Sequence, residues 1–260
     1  MQRDVAVVGA GYVGLPLAVR LAEAGRTVVC LDPAADKMAR LNAGDSYIED
    51  VASADLKRLV DAGQLAGTTD EGELRDADAI LICVPTPLAE HREPDLGAVR
   101  AATAAVARNL RKGHVVVLES TTYPGTTREV LQPMLEEGGL TAGVDFHLAM
   151  SPERIDPGRT DFTVHTTPKV MGGITPACAD RAAAVYQGAV DTIVRVSSPE
   201  AAELAKLLEN IFRTVNIALV NELAMLCDRM GLDVWEVVDA AATKPFGFMR
   251  FEPGPGLGGH

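Results

Sequence analysis

The feature that most constrains the fold of this chain is a glycine motif near its start, Gly9-Ala10-Gly11-Tyr12-Val13-Gly14. The motif follows the short apolar run Val5–Val8 and opens a segment with helical periodicity, the context in which GxGxxG predicts a dinucleotide site. The first glycine permits a tight turn, the second lets the backbone approach a pyrophosphate, and the third lets the helix pack closely on the strand. We therefore expect the amino terminus of the first helix to face phosphate groups.

An acidic residue stands where such a site needs one. Asp32 directly follows the second apolar run, Thr27–Leu31, at about the 20-residue distance where a carboxylate accepts hydrogen bonds from adenosine ribose. The same charge repels a 2′-phosphate, so the predicted cofactor is NAD rather than NADP, and Lys37 nearby weakens that preference. The predicted cofactor contacts of this region are Gly9, Gly11, Tyr12, Val13, Gly14, Asp32 and Lys37.

Strand-like and helix-like segments alternate as far as Val196, which predicts an α/β protein with a Rossmann-like, doubly wound parallel sheet. The predicted strands are Val5–Val8, Thr27–Leu31, Ala79–Val84, Val115–Leu118, Phe146–Met150 and Thr192–Val196. The stretch from Asn42 to about Asp78 is polar and has no predicted element. Only a loop and a helix near Pro176–Gln187 are expected between the last two strands.

A long helix should follow the sheet. Ser198 is a good N-cap and Pro199 a good first residue, and no glycine or proline interrupts the chain from there to Met230. A helix of about 30 residues is about 45 Å long, more than one small domain needs. We therefore expect an NAD-binding domain at 1–196, then this connecting helix and the start of a helical dimerisation and substrate domain at 197–260. Apolar residues cover much of the helix, which predicts a homodimer through it.

Composition excludes several classes of protein. A net charge of −12 argues against a nucleic-acid partner. No apolar run approaches the roughly 18 residues of a membrane span, and no signal-peptide core precedes the first strand. The 4 cysteines are far apart in apolar stretches, which indicates buried thiols and a reducing cytoplasm. The 5 histidines lack metal-ligand spacing, so no metal is expected.

Further motifs resemble those of the UDP-glucose/GDP-mannose dehydrogenase family. In the family's order they are Val7–Ala18, Cys83–Pro87, Glu119–Thr127, Ser151–Arg154, Glu203–Asn210 and Gly254–His260. The resemblance implies NAD-dependent oxidation of carbon 6 of a UDP-sugar to a uronate by two hydride transfers, with a cysteine that holds the intermediate as a thiohemiacetal and then a thioester. In the family that cysteine directly follows a glycine-rich segment like the one at His260. The chain is thus expected to stop before it and to lack the carboxy-terminal nucleotide-sugar-binding domain.

The resemblance also implies roles for single residues. Lys206 and Asn210, four residues apart on one helix face, are expected to hold a developing oxyanion. Glu153 is expected to handle protons and water during thioester hydrolysis, and Thr121 to position a water or the nicotinamide. Further cofactor contacts are expected at Val84, Pro85, Thr86, Ser120 and Thr121, and substrate contacts at Glu153, Arg154, Lys206, Asn210, Arg250 and Gly256. By residue type alone, Glu153 would be a surface glutamate and the Lys206–Asn210 pair a solvated helix face.

The substrate and two rival functions stay open at this point. Residues 152–158 lack the Phe-Leu and the second acid of UDP-glucose enzymes, which leaves open whether Asp156 shares the proton work. With Lys169–Gly173 they resemble the branch acting on UDP-N-acetylhexosamines; UDP-glucose is the other candidate. One rival is a fragment that binds NAD and dimerises without catalysis. The other is a 2-hydroxyacid or 3-hydroxyacyl dehydrogenase, which needs a catalytic histidine in a context that no histidine here has.

Overall fold

The computed structural model describes residues 2–87, 94–154 and 164–255. Its strands are β1 Arg3–Val8, β2 Val28–Leu31, β3 Leu65–Thr68, β4 Ala77–Ile82, β5 Val115–Leu118, β6 His147–Met150, β7 Lys169–Gly173 and β8 Ile193–Val196. Its α-helices are α1 Gly14–Glu23, α2 Ala35–Ala43, α3 Ser53–Asp61, α4 Gly97–Asn109, α5 Gln132–Glu136, α6 Pro176–Val185, α7 Pro199–Met230 and α8 Val234–Ala242. A 3₁₀-helix at Glu71–Asp76 and a π-helical stretch at Thr126–Leu131 complete the described elements.

The strands pair into one sheet in the order β3-β2-β1-β4-β5-β6-β7-β8. Side chains alternate between its faces: in β1, Val5 and Val7 join a buried cluster with α1, α3 and α6, whereas Ala6 and Val8 join one with α4 and α5. Helices thus cover both faces, as a mostly parallel sheet requires. The predicted Rossmann-like fold is confirmed.

The sheet differs from the prediction in three places. β3 and α3 lie inside the stretch predicted to have no element, where α3 buries only Leu56 and Leu59 and the apolar signal is weak. β7 lies where a loop was expected. It pairs antiparallel with β6 and parallel with β8, so the last two strands run opposite to the others and the sheet is mostly parallel.

The structure divides into two compact units, Met1–Lys206 and Leu207–His260. In the second unit, α8 is a helix that the sequence did not predict. The Asn221 side chain bonds both the N–H and the carbonyl oxygen of Gly254, at 2.8 and 2.9 Å, and so secures the segment after α8. The predicted domain boundary at residues 196–197 stays a prediction. Among the described residues, no helix combines the length and apolar character needed to cross a membrane.

The buried His114, just before β5, should make stability depend on pH. Burial, with the nearby charge of Arg111, lowers the pKa of His114 to about 4 from an ordinary 6.5. Between these two pKa values, His114 therefore binds a proton in the unfolded chain but not in the folded protein. The free energy of unfolding should fall as pH drops from 6.5 towards 4, by about 3 kcal/mol in total for a shift of this size.

Urea titrations across that pH range, on the wild type and on His114→Asn, test this expectation. The variant should lose less stability as pH falls, while the two proteins should keep parallel pH dependences above pH 7. An equally steep loss in His114→Asn would assign the effect to other groups.

Candidate functional site

The three motif glycines each meet a different steric demand in the loop between β1 and α1. Gly9 has a φ of +96°, and a Cβ there would lie 2.8 Å from the carbonyl oxygen of Cys83. At Gly14 a Cβ would lie 1.8 Å from the carbonyl oxygen of Gly9. At Gly11 a Cβ would meet no atom within 4 Å. The first and third glycines are thus required by packing, and the second borders open space, which fits a pyrophosphate against the loop.

Asp32 is fixed beside this loop as an ionised carboxylate. Its Oδ2 accepts hydrogen bonds from the Ala10 N–H at 3.0 Å and from Lys37 Nζ at 2.9 Å, and its Oδ1 accepts one from the Ala34 N–H at 3.1 Å. Burial alone would raise the pKa of Asp32, but these hydrogen bonds outweigh it and lower that pKa below its ordinary value. Asp32 and Lys37 are therefore brought together. Lys37 donates a hydrogen bond to Asp32 Oδ2, the same oxygen that accepts the N–H of Ala10 in the glycine loop.

Loops that follow β4 and β5 meet at the same edge of the sheet. Ser120 Oγ donates to the carbonyl oxygen of Val84 at 2.7 Å, and Thr86 Oγ1 donates to that of Thr121 at 2.7 Å. The predicted contacts after both strands thus lie together, with Pro85 exposed between its neighbours. Open α/β sheets bind ligands at this carboxyl edge. Tyr12 is largely exposed and Val13 partly buried at the start of α1.

Glu203 anchors α7 to the segment that follows Thr121. Its buried carboxylate accepts hydrogen bonds from the Gly125 N–H at 2.7 Å and from the Thr127 N–H and hydroxyl at 2.9 and 2.7 Å. Burial raises the pKa of Glu203, although these donors partly offset it. Lys206 is only 8% exposed, so it does not lie on a solvated helix face. Glu203 begins one of the motifs that resemble the family, but no role was predicted for it from the sequence.

Glu153 lies beside a buried charged cluster. Its backbone N–H donates to the carbonyl oxygen of Glu119 at 3.2 Å. Lys169 Nζ lies 2.6 Å from Glu119 Oε2 and 4.0 Å from Glu153 Oε2, and the Tyr186 hydroxyl donates to the other oxygen of Glu119. Sequence reasoning assigned no role to Glu119, Lys169 or Tyr186. The available signal was two charged residues adjoining apolar strands.

Arg154 and Arg250, both predicted to contact the substrate, have partners within the protein. Arg154 Nη1 donates to the carbonyl oxygen of Pro168 at 2.8 Å. Arg250, in the second unit, forms ion pairs with Asp239 and Glu252. Asn210 is partly buried in the second unit. Gly256 and Asp156 lie outside the described residues. The catalytic and substrate roles of all these residues stay predictions.

The 4 cysteines are free and buried, and their burial was expected. Burial raises the pKa of Cys30 to about 12 and that of Cys83 well above its ordinary value. A protonated, buried thiol is a poor nucleophile, because the thiolate is the reactive form. In the described part of the chain, no group of three or more His, Cys, Asp or Glu side chains is placed to hold a metal ion.

Two family models match the chain. Residues 3–190 match the NAD binding domain of the UDP-glucose/GDP-mannose dehydrogenase family, and residues 200–260 match the central domain of the same family. A Pseudomonas aeruginosa relative, UDP-N-acetyl-D-glucosamine 6-dehydrogenase, is 42% identical over 258 residues, which are 98% of this chain and 60% of the relative.

A solved structure, the UDP-D-ManNAc dehydrogenase of Pyrococcus horikoshii, superposes with a TM-score of 0.93 at 37% identity. The superposition covers 99% of this chain and 61% of that one. The chain therefore spans about 60% of the length of such relatives. A 3-hydroxyisobutyrate dehydrogenase of Mycobacterium tuberculosis, 20% identical with a TM-score of 0.68, shares the fold alone. The chain belongs to the UDP-glucose/GDP-mannose dehydrogenase family, and residues 3–190 are its NAD-binding domain.

Proposed function

We propose that the protein containing these residues oxidises carbon 6 of a UDP-sugar to the uronate in two successive hydride transfers. A UDP-N-acetylhexosamine is the proposed substrate, and UDP-glucose is the other candidate. The observation that carries the proposal is the similarity of the whole chain to this family. Both domain models of the family match the chain in order, and the chain is similar to relatives named as UDP-N-acetylhexosamine dehydrogenases. The buried Lys206 and the largely buried Glu153 support the proposal, because they are an oxyanion donor and a carboxylate of the kind that such chemistry uses.

Bound NAD supplies the hydride acceptor. In the proposal, the Gly9–Gly14 loop binds its pyrophosphate, and Asp32 binds the adenosine ribose. The Thr121 hydroxyl positions the nicotinamide or a water. Lys206 and Asn210 hold the oxyanion, which stabilises developing negative charge with preset donors.

Proton transfer and substrate binding use other residues. Glu153 accepts and returns protons and orients the hydrolytic water. Arg154 and Arg250, with the glycine loop near Gly256, bind the sugar nucleotide. In the free protein Arg250 is paired with Asp239 and Glu252, so a bound ligand would share the guanidinium with these carboxylates or replace one of them.

The test is a measurement of stoichiometry. A polypeptide spanning the length of the relatives should form about two NADH per UDP-N-acetylhexosamine, followed by absorbance and by mass spectrometry of the uronate. UDP-glucose is the comparison substrate. One NADH per sugar with an aldehyde product, or no reaction with any UDP-sugar, contradicts the proposal.

A second candidate function applies to these 260 residues taken alone: NAD binding and dimerisation without catalysis. The observation that favours it is that every cysteine present is buried, and that the pKa values of Cys30 and Cys83 are raised. Covalent catalysis needs a reactive thiolate within reach of the aldehyde carbon. Uronate formation by the 260-residue polypeptide would exclude this candidate.

Cofactor choice should depend on Asp32. NAD should bind more tightly than NADP, because the Asp32 carboxylate would accept hydrogen bonds from the adenosine ribose hydroxyls of NAD and would repel the 2′-phosphate of NADP. Asp32→Ala should narrow the difference, since it removes the repulsion and leaves Lys37 without its carboxylate partner. Calorimetric titration of both cofactors measures the ratio. Equal or tighter NADP binding by the wild type contradicts the assignment.

We also propose a homodimer through α7. Leu208, Ile211, Phe212, Val215 and Leu219 are spaced along one side of the helix and are 46–65% exposed. An apolar stripe of this size is unusual on a soluble monomer. Light scattering at micromolar concentration should give the mass of a dimer, and Leu219→Glu should give that of a monomer. Thr214→Glu, an added charge on another face of the helix, is the control and should stay dimeric. A folded, monomeric wild type contradicts the proposal.

A further inference from the structure

The reversed direction of β7 places a lysine at the carboxyl edge of the sheet. Ala149 pairs with Gly173 and Met150 with Gly172. Extending this antiparallel register beyond β6 puts Lys169 opposite Glu153, in agreement with their 4.0 Å separation. The first residue of β7 therefore lies where β4, β5 and β6 end. In a parallel strand, that residue would lie at the opposite edge.

The buried ammonium group of Lys169 lies near two carboxylates, those of Glu119 and Glu153. The side chains of Lys169, Glu119 and Glu153 are 6%, 0% and 14% exposed. Burial alone would lower the pKa of Lys169, but attraction to Glu119 and Glu153 outweighs it and raises that pKa. The ammonium therefore stays charged. Glu119 in turn accepts hydrogen bonds from Lys169 and Tyr186, one on each oxygen.

Stability alone is a weak reason for such a cluster. A buried ion pair contributes little compared with apolar side chains of the same volume, because desolvation offsets the attraction. A lysine held in one place does provide a fixed positive charge with three donors. Glu119 makes the shorter contact with Lys169. The positive charge of Lys169 also acts on Glu153, which lies opposite it in the extended antiparallel register.

We propose that Lys169 is a positioning residue: held by Glu119 and Tyr186, it places a fixed positive charge 4.0 Å from the Glu153 carboxylate and so orients that carboxylate at the site. The catalytic meaning of this role rests on the proposed function, in which Glu153 handles protons and water. Other side chains act on Glu153 as well. Among the described residues, the titratable groups that act on it include Lys169 on β7, Glu119 after β5, Cys83 after β4 and Tyr186 after α6, and Arg154 is its chain neighbour.

The direct test is an NMR titration of the 260-residue protein with ¹³C-labelled glutamate side chains, in which Glu153→Gln identifies the Glu153 signal. In Lys169→Met, Glu153 should protonate about one pH unit higher, because an opposite charge nearby favours the ionised form. In Glu119→Gln, Glu153 should protonate at lower pH, because the substitution removes the other carboxylate near Lys169. Lys169→Arg should resemble the wild type. Such a pair of opposite shifts requires that the charges of Lys169 and Glu119 both act on the Glu153 carboxylate.

Folding of the variants does not limit the test. Lys169→Met leaves Glu119 buried without its cation, so the double variant Glu119→Gln/Lys169→Met removes both charges at nearly constant volume. Its Glu153 should protonate at higher pH than in Glu119→Gln, because those two proteins differ only in the lysine. The exposed Lys112→Met is the matched control and should leave the signal unchanged. A Glu153 signal that titrates identically in Glu119→Gln and in the double variant overturns the inference.

An activity measurement separates this inference from the proposed function. In an active polypeptide, Lys169→Met should move the acidic limb of the kcat profile to higher pH and leave NAD affinity unchanged. A wild type that oxidises no UDP-sugar defeats the proposed function, and the NMR titration still decides the inference. A shifted Glu153 signal with an unmoved kcat profile confines Lys169 to an electrostatic contact and overturns its positioning role.

Discussion

Gly11→Ala should weaken NAD binding about 100-fold and leave the thermal midpoint of the protein unchanged. An added methyl group there meets no protein atom within 4 Å, so the free protein accommodates it. Bound pyrophosphate must occupy that space, and overpacking by one methyl group costs about 3 kcal/mol at its upper end, or about 100-fold in affinity. Calorimetric titration with NAD and a thermal melt of the same sample measure the two effects.

Gly14→Ala is the matched comparison and should behave differently. Its methyl group would lie 1.8 Å from the Gly9 carbonyl oxygen and 3.1 Å from Val7 Cγ1, so α1 must move away from β1. We expect a loss of about 3 kcal/mol or more in the free energy of unfolding, together with lost NAD binding. Unchanged NAD affinity in Gly11→Ala would show that the cofactor does not lie against this loop. An undiminished melting midpoint in Gly14→Ala would contradict the packing of α1 on β1.

Some elements were predictable because local signals set their limits. α7 begins and ends where it was predicted: Pro199 starts it, no glycine or proline interrupts it, and Gly231, with a φ of +69°, follows it. β7 was missed because a lysine and two glycines resemble a loop. These glycines are instead required by close packing: a Cβ at Gly172 would lie 2.1 Å from the Ser198 carbonyl oxygen, and one at Gly173 2.3 Å from the Ala179 nitrogen.

The site shows the same division. The glycine loop and Asp32 follow from spacing within the first βαβ unit, so the sequence located them. The Lys169–Glu119 contact joins residues 50 apart in sequence, and Tyr186 lies 67 residues from Glu119. These contacts depend on the direction of β7, which no local pattern specifies. Glu203 and Thr127 are likewise 76 residues apart, so the anchoring of α7 was not predictable from either segment alone.

Lys206→Ala should slow UDP-sugar oxidation about 100-fold, the typical effect of removing one oxyanion-stabilising group. The structure supports this expectation through the position of Lys206. It is buried, and it lies one helical turn after Glu203, whose carboxylate is bonded to Gly125 and Thr127. The backbone of Lys206 is therefore anchored, and the burial of its side chain limits the rearrangement needed when negative charge develops.

The measurement is kcat at saturating NAD and UDP-sugar, in a polypeptide that spans the length of the relatives. NAD affinity should stay unchanged, because the Gly9–Gly14 loop and Asp32 are untouched by the substitution. Lys57→Ala, on the exposed face of α3, is the control and should retain the full rate. A loss of NAD affinity that matches the loss of rate would indicate a structural role for Lys206. An undiminished rate would show that the oxyanion is held by other residues, since no donor at the reacting oxygen can be lost without slowing the hydride transfers.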